Sequence, residues 1–255
     1  FMSVHNPSSF VTVAPEGETL AVKGFLSDTA LAWTGTSERF SIQNVTTGNA
    51  FTNALSVELW ASVDSISGNN ALLANGNSIT GFDLGIEDNF PYVEIKSVSG
   101  GGSERVTSPV AVNALEWNHL AFSLDASKKL TLFQNGKAVD SLLITGDLTF
   151  SDSVIHGFSR AAATASSSAV DGMVHTVHIY NVSHDFEAAA DDIWYYEPDK
   201  SGVVFAHNFV QSENILHPND ADGVGEMHYH RVPDGSTTAP TPQTDCDVLV
   251  TDFEV

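Results

Sequence analysis

Between residues 39 and 181 the chain is a succession of short runs whose apolar residues recur at every second position, with turn residues between them. Few patterns restrict a fold more. In Leu55–Val63, residues Leu55, Val57, Leu59, Ala61 and Val63 share one face, and Ser56, Glu58, Trp60 and Ser62 share the other. Successive strand side chains point to opposite sides, so this is the signature of a strand. In residues 117–125, Leu120, Phe122 and Leu124 share a face, opposite Trp117, His119 and Ala121. Residues 129–133 and 137–142 flank Gln134-Asn135-Gly136, and an Asn-Gly pair favours the positive φ of a tight hairpin. Asn75-Gly76 and Gly100-Gly101-Gly102 read as further turns. Strands this short and this frequent predict an antiparallel sandwich, not βαβ units. The alternation places Leu59, Phe122, Leu132 and Ile179 between two sheets or against a helix.

Composition bounds the rest. A 255-residue chain with 42% apolar residues fills a sizeable core. Its net charge of −22, from 32 acids and 10 bases, excludes nucleic acid and anionic membranes as partners, because phosphate binding needs clustered Lys and Arg. Such a surface either keeps the chain soluble or collects divalent cations. The single cysteine, Cys246, allows no disulfide within the chain and reads as a small buried apolar residue. No apolar run approaches the about 18 residues of a membrane span, so membrane insertion is not expected. The chain begins at Phe1 and shows no signal peptide, as a processed mature chain or an excised fragment would.

One helix is predicted near residues 183–196. Ser183 is placed to cap it, Asp185 and Glu187 suit its N-terminal dipole, Ala188 to Ala190 favour it, and Pro198 ends it. A Ser/Ala-rich loop is read over residues 159–169. Residues 1–38 form an N-terminal extension with first strands, 39–210 the main sandwich, and 211–255 a C-terminal extension with a strand-like end. The terminal segments, including residues 10–14 and 247–255, either complete the sandwich or pair elsewhere.

Four motifs in this order give the sandwich a family likeness: Glu58-Leu59-Trp60, Trp117-Asn118-His119-Leu120-Ala121, Asn135-Gly136, and the run from Gly172 to Asn181. Together they resemble the laminin-G-like and pentraxin-like domains of the concanavalin A-like superfamily. The resemblance implies an all-β, two-sheet antiparallel jelly-roll sandwich that is mostly a binding scaffold in secreted proteins. It implies that His119 is a framework histidine and that Trp60 and Trp117 are core residues. In the last motif His175, Thr176 and His178 stand where the family has acid, acid and base, so a charged network on that strand is expected to be missing.

The chemistry-bearing residues are sparse. Sugar-cleaving enzymes of this fold carry two or three carboxylates on one strand, and Glu58 stands alone on its own. Asp83 and Glu87 share a strand face without a central acid. Glu87, Asp88 and Asn89 form an acidic turn that reads as a calcium rim or as a solvated turn. Asp220 and Asp222 resemble half of a calcium loop. Glu226, His228 and His230 alternate on one strand face, at a spacing that can grip a transition metal. Calcium is the cofactor this reading favours.

The expected function is a non-catalytic binding or adhesion domain, extracellular or at the cell surface, with a glycan or a surface protein as partner. Tyr92, Asp83 and Asn89 are the expected ligand contacts, Tyr92 as an exposed aromatic stacking on a sugar. The alternatives are a structural subunit of a secreted filament, self-associating through terminal strands, and, third, a polysaccharide-active enzyme.

Overall fold

A computed structural model describes residues 31–33, 38–43, 54–76, 80–97, 102–146, 155–157, 170–187, 202–208, 216–217, 226–231 and 241–242. All sixteen elements among them are strands: β1 (Leu31–Trp33), β2 (Glu38–Gln43), β3 (Leu55–Val63), β4 (Asn69–Gly76), β5 (Gly81–Glu87), β6 (Phe90–Ser97), β7 (Gly102–Thr107), β8 (Asn118–Leu124), β9 (Lys129–Gln134), β10 (Lys137–Leu143), β11 (Ile155–Gly157), β12 (Gly172–Tyr180), β13 (Val203–Asn208), β14 (Leu216–His217), β15 (Glu226–Arg231) and β16 (Thr241–Pro242). They form two antiparallel sheets. One has seven strands in the order β1-β12-β3-β8-β9-β10, with β13 also on β12. The other has nine in the order β14-β15-β2-β11-β4-β5-β6-β7, with β16 on β15.

The inner faces meet in one core. Leu55, Val57 and Leu59 of β3, Leu120 and Phe122 of β8, and Val177 and Ile179 of β12 face Phe82, Leu84 and Ile86 of β5 and Val93 and Ile95 of β6. Leu59, Phe122, Leu132 and Ile179 are all fully buried, as the alternation requires. The rings of Phe82 and Phe122 touch across the sheets, with centroids 5.1 Å apart. The β9–β10 hairpin turns at Asn135 (φ 52°) and Gly136 (φ 72°), the two positive angles that a type I′ turn needs. A second link joins the sheet edges: the Glu104 carboxylate of β7 accepts from the backbone N–H of Thr145 and of Gly146, just past β10.

Two expectations change, and one strand is new. Asn75 and Gly76 are not a turn but the last two residues of β4, paired with Phe82 and Gly81. Residues 155–157, not singled out from the sequence as a strand, are β11 and join β2 to β4. Of the predicted helix, residues 183–185 have no regular structure and 186–187 form a turn, while 188–196 lie outside the described residues, as do the loop 159–169 and the segments 10–14 and 247–255. Within the C-terminal segment, β15 pairs with β2 and so extends the sandwich sheet. Among the described residues no helix is long and apolar enough to cross a membrane.

Candidate functional site

Both sheets carry polar groups on their outer sides, and the two sets differ. On the seven-stranded sheet, the outward residues of β3 are sealed rather than solvated. Phe186 packs with Ala121, Phe133 and Tyr180 in a second apolar cluster over this face. The segment is pinned by Ser56, whose Oγ donates to the Val182 carbonyl and accepts from the His184 N–H, each at 2.8 Å. Beneath it lies a charged group. His119 Nε2 donates to Glu58 Oε2 at 2.8 Å, His178 Nδ1 donates to Oε1 at 2.9 Å, and the Tyr180 hydroxyl donates to Oε1 at 2.6 Å. Burial opposes the charge on Glu58. The hydrogen bonds from His119 and His178, and the positive charge these rings can carry, outweigh it and hold the carboxyl well below the usual carboxylate range.

The geometry of β12 makes this group possible. A bulge between Val174 and Thr176 shifts the register, so that Val174 and Val177 both face the core while Thr176, His178 and Tyr180 face outward. His178 then stands directly opposite Glu58. The strand therefore carries a charged network after all, with His178 as its base and Glu58 of β3 as its acid. His119 is a framework histidine, as expected. Its Nδ1 and the Nε2 of His178 are buried without a hydrogen-bond partner among the described residues, so each ring donates through the nitrogen facing Glu58. Among the described residues no second carboxylate joins Glu58, and its own side chain keeps 11% of its surface exposed.

The outer side of the nine-stranded sheet is open at one end. β5 and β6 turn at Asp88 (φ 46°) and Asn89 (φ 79°), again two positive angles. Asp and Asn tolerate that conformation better than other residues with a side chain, which explains the acidic tip without a metal. The Asp88 carboxylate accepts from the Gly68 N–H at 3.0 Å. Outward from the turn run Glu87, Phe90, Tyr92 and, on β7, Arg105 and Thr107. The Tyr92 hydroxyl donates to Asn69 Oδ1 at 2.7 Å, Asn69 Nδ2 donates to Glu87 Oε1 at 3.1 Å, and Arg105 Nη2 reaches Glu87 Oε2 at 2.6 Å. The Arg105 guanidinium lies 3.8 Å from the centre of the Tyr92 ring, and its Nε donates to Thr107 Oγ1 at 3.3 Å. The loop closes on itself: Asn69, Glu87, Arg105, Tyr92.

Tyr92 is therefore not an exposed platform. It is fully buried, between Arg105 and Gly85. A Cβ at Gly85 would lie 2.9 Å from the Tyr92 hydroxyl oxygen, so the glycine lets the ring lie on the sheet. Among the described residues the exposed aromatic is Phe90, 38% exposed, at the turn end of the same face. Asp83 is buried and paired with Lys96 Nζ at 2.8 Å. Asn89 is exposed, and its backbone ties the turn to Ile66 and Val112. Asn69, Phe90, Arg105 and Thr107 were not singled out from the sequence. Residues 102–107 alternate weakly, and the pairing that sets Arg105 over Tyr92 is a matter of register.

Of the acids named for calcium, those among the described residues each have a partner within the chain. Glu87 is held by Arg105 and Asn69, Asp83 by Lys96, and Asp88 by its own turn. Among the described residues no group of three or more His, Cys, Asp and Glu is placed to hold a metal ion. Asp220 and Asp222 lie outside the described residues. Glu226, His228 and His230 alternate along β15, opposite Gln43, Ser41 and Arg39 of β2.

A model of the concanavalin A-like lectin/glucanases superfamily, laminin G type, matches residues 34–185. The chain belongs to this family. No curated protein matches it in sequence. Its fold is shared by a Bacteroides ovatus protein taken to be carbohydrate binding, at 14% identity and a TM-score of 0.62, over 84% of this chain and 61% of that one. It is also shared by the CBM40 of a Ruminococcus gnavus IT-sialidase bound to α2,3 sialyllactose, at 16% identity and a TM-score of 0.53, over 67% and 98% of the two chains. A heptameric SAP-like pentraxin from Limulus polyphemus is similar at 9% identity and a TM-score of 0.50, over 64% and 81%. At these identities the likeness is one of fold, and this family member spans about three-fifths of the Bacteroides chain.

Proposed function

We propose that this laminin-G-like chain is a non-catalytic glycan-binding domain that works outside the cell or at its surface. The observation that carries the reading is the open end of the nine-stranded sheet. There a hydrogen-bonded polar group of Asn69, Glu87, Arg105 and Thr107 lies on the same face as the exposed Phe90 ring. Sugars are recognised by that combination: fixed amide, carboxylate and guanidinium groups for hydroxyls, and an aromatic face for the C–H side. The group's side chains are already hydrogen-bonded to one another before any ligand arrives, and such pre-organisation lowers the entropy lost on binding. The carbohydrate-binding neighbours agree with the reading but do not carry it. Against catalysis stands Glu58, held ionised under a cover of aromatic side chains.

A glycan array followed by titration calorimetry tests the proposal. The wild-type chain is expected to bind a defined subset of glycans. Phe90→Ala and Asn69→Ala are each expected to weaken that binding by about tenfold or more, the loss of one hot-spot contact. Binding that neither substitution changes would move the site elsewhere. Turnover of the bound glycan would end the non-catalytic reading.

A further inference from the structure

We infer that the site on β4 to β7 selects neutral, hydroxyl-rich glycans and refuses sialylated, uronic or sulfated ones. This rests on the glycan-binding reading and narrows its ligand. The ground is the state of Arg105 and Lys96, the two cations on β4 to β7 among the described residues. Arg105 gives Nη2 to Glu87 at 2.6 Å and Nε to Thr107, and lays its guanidinium on Tyr92. Lys96 gives Nζ to Asp83 at 2.8 Å. An anionic sugar would have to take Arg105 from Glu87, and the displaced carboxylate would remain beside the incoming charge.

The surroundings deepen that penalty. Register sets Glu94 between Asp83 of β5 and Arg105 of β7, all on the outward side. Asp83, Glu87, Glu94 and the turn residue Asp88 thus outnumber Lys96 and Arg105 on this end of the sheet. The chain as a whole carries −22. Like charge repels an anion during approach and at contact, most strongly at low salt. A neutral sugar meets neither cost. Glu87 has lone pairs left to accept its hydroxyls, the guanidinium has further N–H groups to donate, and Phe90 offers a face to its C–H bonds.

The test is an array on which each neutral oligosaccharide stands beside its sialylated and sulfated counterparts, with calorimetry on the best-bound neutral member and its charged partners. The neutral member is expected to bind at least about tenfold more tightly than either charged one. Its affinity is expected to stay level from low to high salt, since no ion pair forms with it. Glu87→Gln keeps an amide for Asn69 and removes the competing charge. It is expected to raise the ratio of sialylated to neutral affinity by about tenfold. Charged partners that bind as well or better than neutral ones, with affinity falling steeply in salt, would overturn the inference and leave the glycan-binding reading standing. A folded wild-type chain that binds no glycan, neutral or charged, would bring down the glycan-binding reading itself. If Glu87→Gln does not fold, the wild-type ratio and its salt series decide.

Discussion

The two outer faces of this sandwich are made from similar residues and arrive at opposite ends. On the seven-stranded sheet a glutamate, two histidines and a tyrosine are closed under Phe186 and its neighbours. On the nine-stranded sheet a glutamate, an arginine, a tyrosine and an asparagine form a network of equal order, but Glu87 and Arg105 keep 38% and 27% of their side-chain surface exposed. Cover makes the difference. Under a lid the charges are strong, mutually dependent and unavailable, so they hold the fold. In contact with water the same chemistry is screened and accessible, as the proposed glycan site requires.

The sharpest way to break this contrast is to delete the carboxylate on each side. Glu58→Ala leaves two histidines and a tyrosine hydroxyl without their acceptor, and removing one partner of a buried ion pair costs about 3–5 kcal/mol. At about 2–4 °C per kcal/mol in a domain of this size, Tm is expected to fall by roughly ten degrees or more. Glu87→Ala removes a pair in contact with water and is expected to cost less than about 1 kcal/mol. Urea denaturation of the two variants measures both. Similar losses would mean that cover does not separate the faces.

Acid sharpens the comparison further. The folded-state pKa of Glu58 is depressed, while in the unfolded chain the group titrates at its ordinary value near 4.5. Its contribution is therefore fully present above that ordinary value. It is lost as pH falls through this region toward the folded pKa, because there the unfolded chain takes up a proton that the folded one refuses. Each such proton steepens the loss by about 1.4 kcal/mol per pH unit. Glu58→Gln, which has nothing to titrate, is expected to be less stable at neutral pH and to lose stability less steeply below about pH 4.5. Parallel acid limbs for wild type and variant would show that Glu58 is not held ionised.

The sequence discloses these two faces unequally. Leu59, Phe122, Leu132 and Ile179 were legible because one period governs a strand against a core, and the Asn135-Gly136 turn because its φ angles restrict its residues. Glu58 and His119 were legible as positions. Their joining to His178 was not, since a bulge in β12 sets which side that histidine takes, and no local pattern marks the bulge. Tyr92 was misjudged for a related reason. Alternation places it outward, and outward was equated with exposed. Whether an outward ring is covered depends on Arg105 from another strand and on Gly85 beneath it, contacts between residues far apart in sequence or on neighbouring strands.

The smallest expected effect concerns calcium. Glu87 and Asp88 sit in an acidic turn, yet a type I′ turn accounts for Asp88 and Asn89, and Arg105 with Asn69 accounts for Glu87. A calcium ion would have to displace Arg105 and the Gly68 N–H before finding its six to eight oxygens. The double variant Glu87→Gln, Asp88→Asn is therefore expected to show the same difference in Tm between calcium and chelator as the wild type. Magnesium at equal ionic strength controls for general screening. An ion held at 100 times its Kd would add about 2.7 kcal/mol, an effect easily read in a melting curve. Should the wild type show such a gain specific to calcium, it is expected to survive that double variant and to vanish in Asp220→Ala, Asp222→Ala. The reverse pattern would make the β5–β6 turn a metal rim, and would turn the face assigned here to neutral sugars into one whose charge balance is set by an ion.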